Sequence, residues 1–382
     1  MADSIEAIPF DGHLVLVADE RQIIVLNETA RSIWEAIGSG ATPADVAQCF
    51  VERFGLAPEH ARADVEAALA DWRARGLIGA SPAREAWVPP PPEGDTAAPT
   101  DFDLDRVYAL CGRPIRFRFQ DPELATLIDP LLAPSETSAA PQEIVALYRD
   151  DRDHVRVANG VEIGRSPLAE EVLGLAVGWL LEASYPRARW LAMFHAGAVA
   201  DQDHAIVLAA ASGSGKSTLT AALVHSGLRY LSDDVVPLDG RTLRIMPVPF
   251  AVSIKEGSWP VLAGRFPELE RLPTHQDRRP RRYLDLSRHA HDGVRSIPVK
   301  VLLFPHYRSA GPTRLQQLGP AQALERLLEA RLWICLDRRE LSMTLDWLMG
   351  MPSYAMEYSS IDDAVSTVKE LSLEIKGQVR SS

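Results

Sequence analysis

The chain has 382 residues, with 40 Lys plus Arg against 52 Asp plus Glu and a formal net charge of −12. That length suits two to three domains with sizeable cores and excludes a small stapled scaffold, and the acidic balance argues against nucleic acid as a partner. Cys49, Cys111 and Cys335 stand far apart with no CxxC spacing, which excludes a disulfide framework or zinc knuckle and suits a reducing cytoplasm. The N-terminal MADSIEAIPFDG lacks the pattern of a signal peptide, and the longest apolar stretch, Val172 to Leu181, is about half of what a membrane span needs, so no membrane partner is expected. Lysine occurs only at positions 216, 255, 300, 369 and 376 in a chain otherwise rich in arginine, so each lysine points to a place that uses a compact ammonium.

Taken in chain order, His13 to Val17 and Gln22 to Leu26 are short β-rich runs that predict a hairpin. Three helices are expected next. The first is capped by Asn27, with Ile33, Trp34 and Ile37 on one side. The second is capped by Thr42 with Pro43 at its first position, and Val46, Phe50 and Phe54 are expected to face inward. The third starts near Pro58, carries Val65, Ala68, Leu69 and Trp72 at stripe spacing, and stops at Gly76. Residues 1–86 therefore predict a small winged-helix-like α+β domain. The run WVPPPPEGDTAAPT, residues 87–100, reads as an extended linker, and residues 101–382 form the remaining domain.

The order of hairpin, LNETARSIW, TPADVAQCFVERFG and a helix ending in WRARGLI resembles the PqqD family over roughly residues 5–80. These are recognition elements for leader regions of ribosomally made, modified peptides. The resemblance implies a precursor (leader) peptide as partner, added as a strand to the hairpin edge and packed on the third helix. A DNA-binding winged helix is the competing reading. It is opposed by 7 arginines, no lysine and 14 acids in residues 1–86.

The strongest chemical motif is AIVLAAASGSGKST, residues 205–218, a β-rich run, a small-residue loop and a helix start. In a phosphate-binding loop Ser212, Gly213, Ser214 and Gly215 turn backbone N–H groups toward phosphates. Lys216 reaches the β and γ phosphates, Ser217 ligates Mg²⁺, and Ser217 and Thr218 complete the expected nucleotide-binding set at the helix start. Ala210 stands where that motif has its first glycine, which costs little if its φ is negative. Asp233 and Asp234 follow a short strand. Beside such a loop one should hold the metal and the other accept a hydroxyl proton, with the assignment open.

Together FHAGAVA with His195, ASGSGKST and LSDDVV resemble the HPr serine kinase/phosphorylase family, and still more its kinase relatives in gene clusters for modified peptides such as lasso peptides. The resemblance covers about residues 101–305. It implies an α/β P-loop kinase of the HPr kinase/PEP carboxykinase-like fold, ATP and Mg²⁺ as cofactors, homo-oligomeric assembly, and catalytic roles for His195, Lys216, Asp233 and Asp234. The stretch PVPFAVSIKEGSWPVL departs from that family's acidic Arg-Gly signature and argues against HPr as the substrate. Lys255 in that stretch, and Arg281 and Arg282 in RRPRRYLD, are candidate phosphate or substrate contacts. Ile297 to Phe304 predicts a buried strand, and helices over 321–332 and 339–349 are expected to pack on the sheet. Fused to a peptide-recognition domain, this predicts a kinase acting on a serine or threonine hydroxyl of a leader-bound precursor peptide. The alternatives are an ATP-binding scaffold without catalysis and a regulatory kinase/phosphorylase of a folded carrier protein.

Overall fold

The computed structural model describes residues 5–18, 22–78, 99–151, 153–201, 204–276, 279–290 and 296–379. Most of the expected linker, residues 87–98, and the turn at 19–21 lie outside them. Strands β1 (Ile5–Phe10), β2 (His13–Ala18) and β3 (Gln22–Leu26) form an antiparallel sheet in the order β1-β2-β3. The sequence reading lacked β1. Its signal is Asp11-Gly12, which closes the β1–β2 hairpin with φ of 47° and 77°, the positive values that a two-residue turn matched to strand twist demands.

Helices α1 (Glu28–Gly38), α2 (Pro43–Phe54) and α3 (Pro58–Ala74) follow. Asn27 accepts from the Ala30 N–H, and Thr42 with Asp45 forms a reciprocal capping box, so the first-turn donors of α1 and α2 are satisfied locally. Leu14, Leu16, Ile24 and Leu26 of the sheet close a core with Ile33, Phe50, Val65 and Leu69. Trp34 and Trp72 meet edge to face at 5.3 Å within it. Phe54 is a correction, being 52 % exposed. At about 100° per residue, eight positions beyond Val46 rotate a side chain some 80° off the buried stripe.

The next layer is a five-stranded sheet in the order β4-β5-β6-β7-β8, built from β4 (Leu104–Leu110), β5 (Arg113–Phe119), β6 (Glu143–Asp150), β7 (Asp153–Ala158) and β8 (Val161–Ser166). Only β5 and β6 run parallel, joined through helix α4 (Pro122–Leu132). With α5 (Ala169–Ser184) this helix covers one face, where Ile115, Phe117, Phe119, Leu124 and Val172 pack together.

A ten-stranded mixed sheet carries the loop of interest. Its first part comprises β9 (Trp190–Phe194), β10 (Ala196–Asp201), β11 (His204–Ala209), helix α6 (Lys216–His225), β12 (Arg229–Ser232), β13 (Val236–Asp239) and β14 (Arg244–Ile245). A two-stranded ribbon of β15 (Val252–Lys255) and β16 (Arg281–Leu284), with α7 (Trp259–Ala263) between them in the chain, stands apart from the sheet. Then come β17 (Ile297–Tyr307), β18 (Arg314–Leu318), α8 (Pro320–Glu329), β19 (Leu332–Ile334), α9 (Arg338–Met349), β20 (Ser353–Tyr358) and α10 (Ile361–Val379). Strand β17, predicted as buried, is central and pairs in parallel with both β11 and β20; the other pairings of this sheet are antiparallel. The fold is thus a mixed α/β arrangement.

The chain divides into two compact units that are not contiguous stretches. The first takes the described part of Met1–Pro90 together with Gly319–Glu325 and Leu336–Met349, and the second takes Pro91–Leu318, Arg326–Cys335 and Gly350–Ser382. Helix α9, expected on the large sheet, therefore belongs to the first unit. There Arg338 pairs with Glu6 of β1 at 2.9 Å, and Asp11 accepts from the Ala321 N–H at 3.1 Å. β1 and β3 each pair only with β2 among the described residues, and the two ties fall at β1 and the turn after it, so β3 is the outer edge that neither tie touches.

Candidate active site

Strand β11 ends at Ala209, and the chain turns through residues 210–215 before α6 begins at Lys216. Gly213 and Gly215 hold φ of 93° and 92°, whereas Ala210 does not enter the left-handed region, so alanine there carries no backbone strain. Neighbouring strand ends brace the loop: the Tyr307 N–H donates to the Ser214 carbonyl at 2.9 Å and the Tyr358 hydroxyl to the Gly215 carbonyl at 3.3 Å. The first-turn N–H groups of α6 have no intrahelical acceptor and point from its positive end.

A cavity of about 820 Å³ opens over this loop, lined by Ser212, Gly213, Gly215, Lys216, Ser217 and Thr218. Ser214, expected among the phosphate-binding residues, does not line it; its carbonyl accepts from the Tyr307 N–H. Lys216 is buried, and its Nζ lies 3.5 Å from Asp234 Oδ1. Thr218 Oγ1 and Ser258 Oγ share a hydrogen bond of 2.6 Å at one wall.

The two adjacent aspartates are in unlike surroundings because Asp234 takes a left-handed backbone, φ 71°, a conformation aspartate tolerates. Asp234 lines the cavity, while Asp233 is wholly enclosed and neither of its carboxylate oxygens has a hydrogen-bond partner. Burial, with the Asp234 charge alongside, pushes the Asp233 carboxyl well above the ordinary range, against Lys216 and the Ser217 hydroxyl. Burial works in the same sense at Asp234, but Lys216 and His195 hold it below that range. A Cβ at Gly197 would meet Thr220 and lie 3.1 Å from Asp233 Oδ1, so the glycine of FHAGAVA makes room for the buried carboxylate.

His195 sits between β9 and β10, lines the cavity, and donates through Nδ1 to the Asp234 carbonyl at 3.2 Å, which leaves Nε2 as its proton-accepting nitrogen. Burial, then the Lys216 ammonium, keeps His195 below its ordinary pKa and so neutral at pH 7. Its backbone N–H donates to the Arg331 carbonyl, a long-range anchor with no mark in the sequence.

The ribbon supplies further lining of the cavity. Lys255 and Arg281 are direct cross-strand partners, and both line the cavity with Arg279. Like charges so placed oppose ribbon formation on their own, and burial followed by Arg281 holds the Lys255 ammonium below its ordinary value. Lys255 Nζ donates to Ser212 Oγ at 2.6 Å. With Lys216 these cations make the cavity chemically suited to a polyphosphate.

Arg282, expected at the same site, is a correction. Successive strand residues face opposite ways, and its guanidinium lies 4.0 Å over the Trp259 ring and donates to the Leu269 carbonyl at 2.9 Å. Arg282→Ala is expected to cost about 1–2 kcal/mol of stability with nucleotide affinity unchanged, and Arg281→Ala to weaken nucleotide binding about tenfold with little change in melting temperature. Calorimetric melting and nucleotide titration of the two variants check this contrast. Tyr307, Tyr358, Ser360 and Asp362 also line the cavity; they lie at least 91 residues beyond Lys216 in the chain, and no local pattern announces them.

Residues 13–78, which carry β2, β3 and the three helices, match the family model described as coenzyme PQQ synthesis protein D (PqqD) and form a domain of that type. No curated protein sequence matches the chain. Among solved structures, one described as the Hpr(Ser) kinase/phosphatase from Coxiella burnetii is similar over 50% of this chain and 95% of its own, at 11% identity and a TM-score of 0.25. No described helix is long and apolar enough to cross a membrane, and no group of three or more His, Cys, Asp or Glu among the described residues forms a ready metal cage.

Proposed function

We propose that the protein is an ATP-dependent kinase that phosphorylates a serine or threonine hydroxyl of a ribosomally made precursor peptide, whose leader is held by the PqqD-type domain. The observation that carries this reading is the cavity over the glycine loop, where Lys216, Lys255, Arg279 and Arg281 line the same space as Asp234, with Glu256 and Asp362 as its other carboxylates. For the peptide, support comes from the PqqD match and from the open edge of β3, to which a leader can add as a further strand. Tethering a bound precursor raises the effective concentration of its hydroxyl at the cavity, so moderate leader affinity suffices.

In this mechanism the loop N–H groups and Lys216 hold the β and γ phosphates, with Lys255 and Arg281 as further cations of the same cavity. Mg²⁺ would be held by Ser217 and the Asp233 carboxylate. Asp233 brings two buried oxygens without partners next to Ser217, a hard-oxygen set of the kind Mg²⁺ shares with phosphates and waters. When bound, Mg²⁺ neutralises charge on the phosphates. Asp234, at the cavity surface, orients the acceptor hydroxyl and takes its proton, with His195 Nε2 as the adjacent neutral acceptor. The hydroxyl oxygen bonds to the γ-phosphorus as the bond to the β–γ bridging oxygen breaks, and ADP departs.

Mass spectrometry of the precursor peptide encoded nearest this gene, incubated with the protein, ATP and Mg²⁺, tests the proposal. The expected result is a gain of about 80 Da that Lys216→Ala abolishes. Peptide binding without any mass gain would overturn the kinase reading and support an ATP-binding scaffold.

A further inference from the structure

A second cavity, of about 510 Å³, lies between the five-stranded layer and the ribbon, and the mechanism above leaves it unused. Its floor holds a buried pair. His154 of β7 is 2 % exposed and Asp121, just before α4, 0 %, with His154 Nδ1 and Asp121 Oδ2 2.5 Å apart. Asp121 Oδ1 meanwhile accepts the N–H groups of Glu123 and Leu124 at 3.0 and 3.3 Å, so its orientation is set by the helix start. With Nδ1 committed to Asp121, Nε2 is the ring atom left for the cavity, 3.5 Å from the Glu123 carboxylate at the rim. The buried imidazole is thus oriented by Asp121 on one side and meets the exposed Glu123 carboxylate at the cavity on the other.

Arg281 lines both cavities. It is held in place by the reciprocal backbone hydrogen bonds of His275 and Arg281, at 2.9 and 3.0 Å, and His275 packs edge to face on Tyr283 at 5.1 Å. The ribbon is thus a common wall, with Lys255 on the first cavity and Tyr283 on the second. The lining decides the class of occupant. Arg149 and Arg281 are offset by Glu123 and Glu170, which disfavours a free polyanion, while Leu127 and Leu168 add apolar surface. Both signs of charge, apolar contacts and an oriented imidazole suit a short polar stretch of polypeptide.

We propose that the second cavity is an acceptor-side subsite that takes the residues of the peptide substrate flanking the phosphorylated hydroxyl, with His154 as a positioning residue and Arg281 as the wall shared with the nucleotide. This rests on reading the first cavity as the nucleotide site. The test uses the full chain with a non-hydrolysable ATP analogue and two probes, the leader alone and the whole precursor encoded nearest this gene. Hydrogen exchange is expected to slow at 149–151, 153–154, 275–276 and 279–283 only with the whole precursor, and equal protection by both probes would overturn the proposal.

A second arm uses His154→Asn, which keeps the hydrogen bond to Asp121 but lacks Nε2. It is expected to raise KM for the precursor about tenfold, with kcat and nucleotide affinity unchanged and with partial recovery in His154→Gln. A fall in kcat at unchanged KM would instead mark a merely structural role and overturn the assignment. Protection without phosphate transfer would sustain the subsite and sink the kinase, whereas transfer without protection would do the reverse.

Discussion

Gly215→Ala is expected to abolish measurable nucleotide binding. Gly215 adopts φ 92°, and a Cβ there would collide with the Tyr358 hydroxyl and lie 3.3 Å from the Tyr307 Cβ. The backbone alone costs about 1–2 kcal/mol for a residue with a side chain, and the collision must be relieved by moving either the loop or the ends of β17 and β20. Either movement displaces the N–H groups at the start of α6. Adding Tyr358→Phe removes the hydroxyl but leaves the φ and the Tyr307 contact, so the double variant should regain melting temperature more than affinity. Isothermal titration with ATP and a thermal melt of both variants check this. A single variant that binds ATP normally would show that the loop does not cradle phosphate.

Asp233→Asn is expected to raise the melting temperature at pH 8 while lowering phosphoryl transfer about a hundredfold or more. The Asp233 carboxyl is held above its ordinary value of 3.8, chiefly by burial, so the native state binds the proton more tightly than the unfolded chain. The stability this contributes is complete below the unfolded value and is lost as pH rises through the native one. Asparagine has no charge to bury. The gain should therefore be largest at pH 8 and shrink toward pH 4, which a pH series of melts resolves. A variant less stable than the parent at every pH would show that the charge at Asp233 is accommodated after all.

Several local features were legible in the chain because their causes are local. Asn27, Thr42 and Pro58 mark helix starts at positions that the structure bears out, since caps and proline act within one turn. The Asp11-Gly12 hairpin was equally local, and overlooking it left out β1. Phe54 was misplaced because a four-residue repeat outruns the helical turn over eight positions. Arg281 and Arg282 look equivalent in RRPRRYLD, yet one residue of strand offset sends them to opposite sides of the ribbon.

By itself the sequence determined which residue types could meet phosphate: a small-residue loop after a β run, a lysine and serine at a helix start, two adjacent carboxylates, and a PqqD-like order of hairpin and helices. Those are short-range patterns, and a few bonds of backbone carry them. Only the tertiary structure decided that Asp233 is enclosed while Asp234 meets the cavity, that Tyr307 and Tyr358 brace the loop, that Lys255 and Arg281 line the same cavity as Lys216, and that His154 is held by Asp121 beside a second cavity. Each depends on residues tens to more than a hundred positions apart. Their distances follow from sheet pairing and burial, which no local window of sequence contains.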